Sequence, residues 1–560
     1  MSEKELIAAL EFIGQRPTKP VIEKCLEICL KYSIDAEELT DHWSAFSITH
    51  LKEAHISVEG IILLEQKVLN KQNTASSQDT STIKKSQYDN DDNSKNVNDN
   101  VERLENTDTS FMSDLNDDYI NENDSLRTEC IAEVEMDIEY IKYQDRSGSG
   151  TIVASFGNNS YISVNTNQIF DIAITGSEWY TQQNYTGLYS TQARVANRFD
   201  NHIDYIGRII LEKHNIEVLQ HEGNLVIYGR IKSEDGNKIN NKTVILETSR
   251  DFNGPKEIVL NISNTKSYSL FSGQIIAAKG ITVAKNFIVQ EIYTDACPEF
   301  PSELPNIHES LRIIVGVGPF TLSGNLLYEP LQDLLKQIIK EKPNILILIG
   351  PFVDSTHPDI LTIEETFENY FETLLKNIMD CLVGWPIQII LVPSFNDAHH
   401  FPCYPTPSYI LKDQANLKYV PNPCLLSING FIIGINSLDI LFQLTKQEIS
   451  KNVQKDRMGR LAAHILQQRN FFPLYPNRDT VISIDYEHLL KDCTINMKPH
   501  LLILPSVLRY FIKNVDGCLV INPERLAKKH GGGTYAVVNI NPISREQNII
   551  DDISCEIRNI

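Results

Sequence analysis

Five consecutive aliphatic side chains, Ile345 to Ile349 within NILILIG, set the tightest bound on what this chain can fold into. A strand apolar on both faces has to lie inside a sheet covered on both sides, because an uncovered face would leave a strip of hydrocarbon in water. The flanking sequence agrees. A second such run at 313–317 is followed by Leu331, Leu334, Leu335, Ile338 and Ile339 at helical spacing, and the first is followed by Phe367, Tyr370, Phe371, Leu374, Leu375 and Ile378. Strand and helix in alternation imply a parallel sheet. Further runs at 425–428, 431–435, 501–504 and 519–521 exceed what one simple sheet needs, so residues 297–560 read as an α/β sandwich of two sheets.

The rest of the chain divides by composition. Residues 1–72 carry Leu6, Leu10 and Ile13 on one helical face and Ile22, Leu26, Cys29 and Leu30 on another, the pattern of a small helical bundle. From 73 to 150 the sequence is rich in Asn, Asp, Ser and Thr, as in YDNDDNSKNVNDN, and carries too little apolar surface to offset ordering entropy. It reads as a disordered acidic linker. Residues 151–296 shift to short β-rich runs, TIVASFG, NLVIYGRI, TVILET, SGQIIAAKGI and NFIVQEIY, whose spacing suits a small Greek-key barrel of the OB-fold kind. One helix, marked by Val195, Phe199, Ile203, Ile206 and Ile210, is expected to pack on that barrel or on the domain after it.

Composition also excludes function classes. The 560 residues suffice for two to four domains, and a net charge of −22 disfavours an autonomous nucleic-acid clamp. Ten cysteines without a Cys-x-x-Cys pair read as reduced, buried thiols. The acidic start MSEKELIAALEF has no basic n-region and no apolar run reaches membrane-spanning length, so a secreted or membrane-inserted product is not expected.

Turns at the carboxyl ends of open α/β sheets are where such folds place their chemistry. The sandwich resembles calcineurin-like phosphoesterases, whose frame puts Gly-Asp-x-x-Asp after this strand, the first carboxylate bridging two metals. Here the frame reads Gly350-Pro351-Phe352-Val353-Asp354, and the proline side chain offers no donor atom to a hard cation. The preceding strand opens into Gly316-Val317-Gly318-Pro319-Phe320 in place of Asp-x-His. The third leads to Ser394-Phe395-Asn396-Asp397 in place of Gly-Asn-His-Asp, and the late one to Pro505-Ser506-Val507-Leu508 in place of Gly-His-x-His. A two-metal site needs nearly its whole ligand set to fix its geometry. The expectation is therefore an inactivated scaffold with no catalytic residue, no metal and no cofactor, in which Gly350, Pro351, Asp354, Ser394, Asn396, Asp397 and Ser506 are vestigial positions.

Four longer runs carry a closer resemblance. GPFVDSTHPDI (350–360), VPSFNDAHHFPCYPTPSY (392–409), LPSVLRYFIKNVDGCLVINPERLAK (504–528) and SLFSGQIIAAKGI (269–281) strongly resemble the B-subunit family of replicative DNA polymerases. The GPFVDSTHP and GCLVINP runs favour its polymerase α branch over the δ and ε branches. The resemblance implies a non-catalytic accessory and scaffold subunit of the polymerase α–primase complex, in which the OB-fold and the inactive phosphoesterase-like domain hold the C-terminal domain of the catalytic subunit. It implies further that primase is reached through the complex, that replication regulators bind the N-terminal helical domain, that DNA is contacted indirectly, and that the protein is nuclear. The linker departs from the family pattern: no proline lies between Pro20 and Pro255, so it offers no proline-directed phosphorylation site.

Rival readings stay open at several positions. Asp354, His357, Asp397, His399 and His400 cluster at the rim, and these residue types bind divalent ions, so the alternative is a divergent metal-dependent phosphodiesterase. Against it, adjacent histidines point to different sides of the backbone, and Asp397 equally suits a turn cap. Tyr404, Pro405, Pro407 and Tyr409 form an aromatic, proline-rich loop, which makes Tyr404 and Tyr409 candidate partner-interface residues; the plain alternative is that they pack within the chain. Tyr228 and Arg230 are too little for a single-strand stacking platform. Gly316-x-Gly318 lacks the third glycine of a dinucleotide loop, and Gly531-Gly532-Gly533 precedes a strand; both read as turns.

Overall fold

The computed structural model describes residues 17–32 and 56–65 with isolated positions around them, then 143–157, 168, 170–175, 188–216, 225–233, 238–239, 244–250, 257–283 and, with breaks of one to four residues, 286–560. The linker expected at 73–150 lies outside the described residues as far as 142. The chain forms two compact units, 1–141 and 142–560. In the first, helix α1 (Lys19–Tyr32) turns Val21, Ile22, Cys25, Ile28 and Cys29 inward at helical spacing, and α2 (Val58–Leu64) adds Ile61 and Leu64 to the same core around Trp43. Ser57 starts α2 by accepting the Gly60 N–H at 3.0 Å. Lys31 and Tyr32 on α1 both donate to Glu65 just past α2.

The second unit begins with strands β1 (Ile152–Phe156) and β2 (Ile172–Thr175), then helix α3 (Gln192–Lys213). Next come β3 (Leu225–Ser233), β4 (Val244–Glu247), β5 (Glu257–Asn261), β6 (Tyr268–Leu270), β7 (Ile275–Val283) and β8 (Asn286–Tyr293). Of these, β3, β4, β5, β8 and β7 close into a barrel. The α/β portion follows: β9 (Leu311–Val317), α4 (Glu329–Glu341), β10 (Ile345–Ile349), α5 (Phe367–Cys381), β11 (Gln388–Val392), β12 (Leu417–Tyr419), β13 (Cys424–Ile428) and β14 (Phe431–Ile435). It continues with α6 (Ile440–Gln447), β15 (Ile449–Lys451), α7 (Arg457–Gln467), α8 (Tyr486–Asp492), β16 (Leu501–Ile503), β17 (Phe511–Val515) and β18 (Cys518–Asn522). A short pair, β19 (Ala527–Lys528) and β20 (Gly531–Gly532), precedes the last strands β21 (Thr534–Ile540) and β22 (Ile553–Asn559).

Two sheets result, one ordered β1-β22-β21-β9-β10-β11-β12 and the other β17-β18-β16-β14-β13-β2. The aliphatic run of β10 sits between β9 and β11, in parallel register with both, which is why every one of its side chains is buried. Alternate residues of β9, β10 and β11 face β13, β14, β16 and β18 across one shared core; the others meet α4 and α5. Each fully buried Ile or Leu contributes about 1.5–3 kcal/mol, so this double layer dominates the stability of the unit.

Two expectations need correction. TIVASFG is not a barrel strand: β1 pairs antiparallel with β22 (Ala154↔Ile557, Phe156↔Cys555), and β2 pairs with β13. The barrel, 225–293, is thus inserted between the first strands of the sandwich and the rest of it. The linker boundary also moves. Residues from Tyr143 onward pack on α4, with the Tyr143 hydroxyl donating to Asp333 at 3.1 Å, Arg146 pairing with Asp333 and giving its Nε–H to the Ile560 carbonyl at 2.9 Å, and the guanidinium 3.7 Å from the Tyr143 ring.

Barrel and sandwich are fused by backbone as well as side chains. Strand β6 pairs antiparallel with β15, and the Tyr475 N–H donates to the Ser272 carbonyl. The Gln468 amide brackets the start of β7, accepting from the Ile275 N–H at 2.7 Å and donating to the Ile275 carbonyl. Gly273, at φ +102°, lies so close to the 473–475 backbone that a Cβ would strike the Tyr475 nitrogen and stand 2.5 Å from the Pro473 oxygen. Helix α3 serves both partners. Its Ile203, Ile206, Ile210 and Leu211 are buried against Val226, Tyr228 and Ile275 of the barrel, while Phe199 meets Tyr475 and Tyr486 of the sandwich at 4.3 and 5.2 Å between ring centroids.

Candidate functional site

The carboxyl ends of β9, β10 and β11 converge on one buried carboxylate. Strand β10 runs into Gly350 and Pro351, and β11 into Ser394, so that Asp397 folds back between the two turns. Asp397 is 2% exposed; its Oδ1 accepts the Phe352 N–H at 2.5 Å, and its Oδ2 accepts the Ser394 N–H at 2.8 Å and the Tyr409 hydroxyl at 2.6 Å. Gly350 is required beneath it, because a Cβ there would stand 2.5 Å from Asp397 Oδ2 and 3.1 Å from the Ser394 nitrogen. Burial pushes the Asp397 carboxyl up to about 6, with the Tyr409 hydroxyl and the backbone donors pulling the other way, and burial beside this carboxylate raises Tyr409 well above its ordinary value.

The other expected positions knit the same turns. Asp354 Oδ1 accepts both the backbone N–H and the hydroxyl of Thr356. The Ser355 N–H donates to the Asn396 carbonyl, the Asn396 N–H to Ser394 Oγ, and the Ala398 N–H to the Val353 carbonyl. His357 is buried, its Nε2 2.8 Å from the Leu322 carbonyl and its Nδ1 accepting the Asp359 N–H. His399 stacks on Phe371 at 3.9 Å, and burial with neighbouring His400 lowers it to about 3; His400 Nε2 lies 2.7 Å from the Pro407 carbonyl. The histidines thus face rings and carbonyls. Among the described residues, no three of His, Cys, Asp or Glu are placed to hold a metal ion.

Ser506 belongs to a second network, at the rim of the other sheet. Its N–H donates to Asn522 Oδ1 at 2.9 Å and its Oγ accepts the Leu508 N–H. Asp439 caps α6 at the Phe442 N–H and accepts the Val507 N–H at 2.7 Å; burial raises its carboxyl while the Arg525 charge lowers it. Arg525 in turn donates to the Gly318 carbonyl at the end of β9, joining the two rims. Asn436, directly after β14, takes the Tyr404 hydroxyl and the Leu438 N–H and donates to the Phe471 carbonyl. Sequence reasoning passed over Asn436, Asp439, Asn522 and Arg525. The readable signal was an amide at the carboxyl end of a buried apolar run, as in Ile435-Asn436 and Ile521-Asn522.

One further expectation is corrected. Tyr404 and Tyr409, expected at a partner interface, are 0% and 5% exposed and hydrogen-bonded to Asn436 and Asp397, so they hold the rim together from inside. Tyr228 and Arg230 are likewise buried. The Tyr228 hydroxyl donates to Asp204, and the Arg230 guanidinium is paired with Glu247 and sandwiched between Phe199 and Tyr475 at 4.3 and 4.1 Å. Asp354, Ser394, Asp397, Asn436, Ser506 and Asn522 each give side-chain oxygens to N–H groups of the rim turns, which braces those turns from inside.

Three family descriptions match the chain: the B subunit of DNA polymerases alpha and epsilon over 313–513, the OB domain of the DNA polymerase alpha B subunit over 196–295, and the N-terminal region of the DNA polymerase alpha B subunit over 4–71. The chain is 31% identical to the DNA polymerase alpha B subunit of Mus musculus over 413 residues, covering 70% of this chain and 69% of that one. It is 29% identical to the Drosophila melanogaster protein of the same name over the full length of both. Against the Schizosaccharomyces pombe protein it is 31% identical over 65% of this chain and 69% of the relative.

Proposed function

The chain belongs to the B-subunit family of DNA polymerase alpha, and from that premise we propose that it is a non-catalytic accessory subunit and scaffold of the polymerase alpha–primase complex, supporting initiation of DNA replication in the nucleus. Its fused barrel and sandwich hold the C-terminal domain of the catalytic subunit, primase joins through the complex, and the N-terminal helical domain (1–72) receives replication regulators. DNA is reached through the partners. Tethering raises the local concentration of one component near another without any bond-making chemistry.

The observation that supports this reading best is the rim. Where a two-metal phosphoesterase needs free carboxylates and imidazoles, this chain has Pro351, a glycine-proline turn at 318–319, and an Asp397 whose lone pairs are already taken by Phe352, Ser394 and Tyr409. An inactivated phosphoesterase scaffold keeps the shape and uses the polar groups for rigidity. Co-expression with the catalytic subunit's C-terminal domain, followed by size-exclusion chromatography, tests it: a stoichiometric complex is expected, and separate elution would refute the scaffold reading. A manganese-supplemented phosphodiester assay tests the enzymatic alternative, which requires turnover that disappears in Asp397→Ala.

A further inference from the structure

The rigid rim displays large apolar side chains to solvent. Leu327 in the β9–α4 loop, Leu361 in the β10–α5 loop and Ile410 in the β11–β12 loop are 63%, 89% and 69% exposed, and Phe401 is exposed on the same loop as Ile410. The first turn of α5 ties these loops into one face. The Tyr370 hydroxyl donates to the Leu326 carbonyl, the Tyr370 and Tyr328 rings lie 6.2 Å apart, and Phe371 stacks on His399. Half-buried Ile360, Ile363, Phe367 and Tyr370 lie beneath, on the core of the large sheet. The loops are held by buried hydrogen bonds, such as Tyr328 hydroxyl to Phe352 carbonyl at 2.8 Å, so the face is preformed.

Charge on the β10–α5 side of the face has one sign, whereas the β11–β12 side carries exposed Lys412 two residues beyond Ile410. No Lys or Arg occurs between Lys342 and Lys376, while Asp354, Asp359, Glu364, Glu365, Glu368 and Glu372 all fall there. The last four are exposed, and among the described residues none of them makes an ion pair. An apolar face with unneutralised carboxylates along its β10–α5 side matches a segment with apolar anchors and cations flanking them on that side.

We propose that this face docks a Lys/Arg-rich amphipathic segment of a partner protein, with Leu361 as the central apolar contact and Glu364, Glu365 and Glu368 receiving its cations. The proposal deepens the scaffold reading and rests on it for the partner being a protein. The occupant is identified by its chemistry alone: helical or extended, it presents apolar residues to Leu327, Leu361 and Ile410 and positive charge to the start of α5.

The test uses the full chain and a fluorescent 18-residue peptide of alternating Leu and Lys/Arg turns, with an acidic analogue of the same apolar pattern as control. Anisotropy titration is expected to give saturable 1:1 binding of the basic peptide, weakened about tenfold or more by Leu361→Ser and by Glu364→Lys/Glu365→Lys, and weakened again by raising salt. These side chains are at the surface, so circular dichroism of the variants should match the parent. Wild-type affinity in both variants overturns the proposal. So does an equal loss in Glu303→Lys, an exposed acid outside the face, because binding would then follow total charge. Co-purification of the catalytic subunit is read in parallel. Its loss from the unaltered chain sinks the scaffold reading while leaving the peptide titration to decide the docking face.

Discussion

Replacing Asp397 by Asn isolates the energetics of the rim. The amide keeps the shape and one acceptor for the Phe352 N–H, but turns an NH2 group toward the Ser394 N–H and the Tyr409 hydroxyl, which now meet Oδ2 at 2.8 and 2.6 Å. Two buried donors left unmet cost about 1–3 kcal/mol each, so a loss on the order of 3 kcal/mol is expected at neutral pH. The pH dependence is the sharper signature. The folded-state pKa of Asp397 is raised to about 6, above the ordinary carboxylate value, so its stabilising contribution is complete below the unfolded pKa and is lost as pH rises through 6. Asn does not titrate. The destabilisation measured by urea unfolding, followed by circular dichroism, should therefore be larger at pH 5 than at pH 7.5 by roughly 1 kcal/mol. A penalty that stays constant, or grows toward pH 7.5, would refute the assignment of Asp397 as a carboxylate buried at electrostatic cost.

Other positions give simpler tests. Gly350→Ala should cost about 1–3 kcal/mol by overpacking, since the new methyl stands 2.5 Å from Asp397 Oδ2; an unchanged melting temperature would count against the described geometry. Gly273→Ala combines a positive φ with a clash against the 473–475 backbone and should destabilise the barrel–sandwich junction by more than about 2 kcal/mol, read as earlier proteolysis between barrel and sandwich. Arg146→Ala removes the contacts to Asp333, Tyr143 and the Ile560 carbonyl; cleavage at 143–150 should accelerate while the unfolding free energy of the whole unit falls by only about 1 kcal/mol. Tyr228→Phe should leave single-stranded DNA affinity unchanged, because the ring is buried and its hydroxyl is bound to Asp204.

Much of the sandwich was legible because β10 and its neighbours are apolar without interruption, and only a covered parallel sheet accommodates that pattern. The placement of TIVASFG was not. Its half-buried alternation is the same whether the partner is a barrel strand or β22, which lies about four hundred positions away in the chain. That no metal-binding side chain follows β10 at position 351 could be read from residue identity alone, since a proline ring carries no donor atom however the chain folds. What the surviving Asp397 does could not, because its three donors come from Phe352, Ser394 and Tyr409, which only the folded turns bring together. Tyr404 and Tyr409 show the same limit. Aromatic residues in a proline-rich loop have the composition of an exposed contact, and here they are internal pins, while Ile410, the residue directly after Tyr409, is the one turned to solvent.

The pairing of β1 with β22 imposes an order on synthesis. Strands β3 to β8 are contiguous, so the barrel can close soon after residue 293 has left the ribosome. The large sheet has to wait: β9 exposes one edge until β21 arrives, and β1 has no neighbour until β22 does. For the whole interval in which about 240 further residues are translated, a nascent chain carries an apolar, unpaired strand edge beside an already finished barrel, which is the condition under which chaperone shielding matters most.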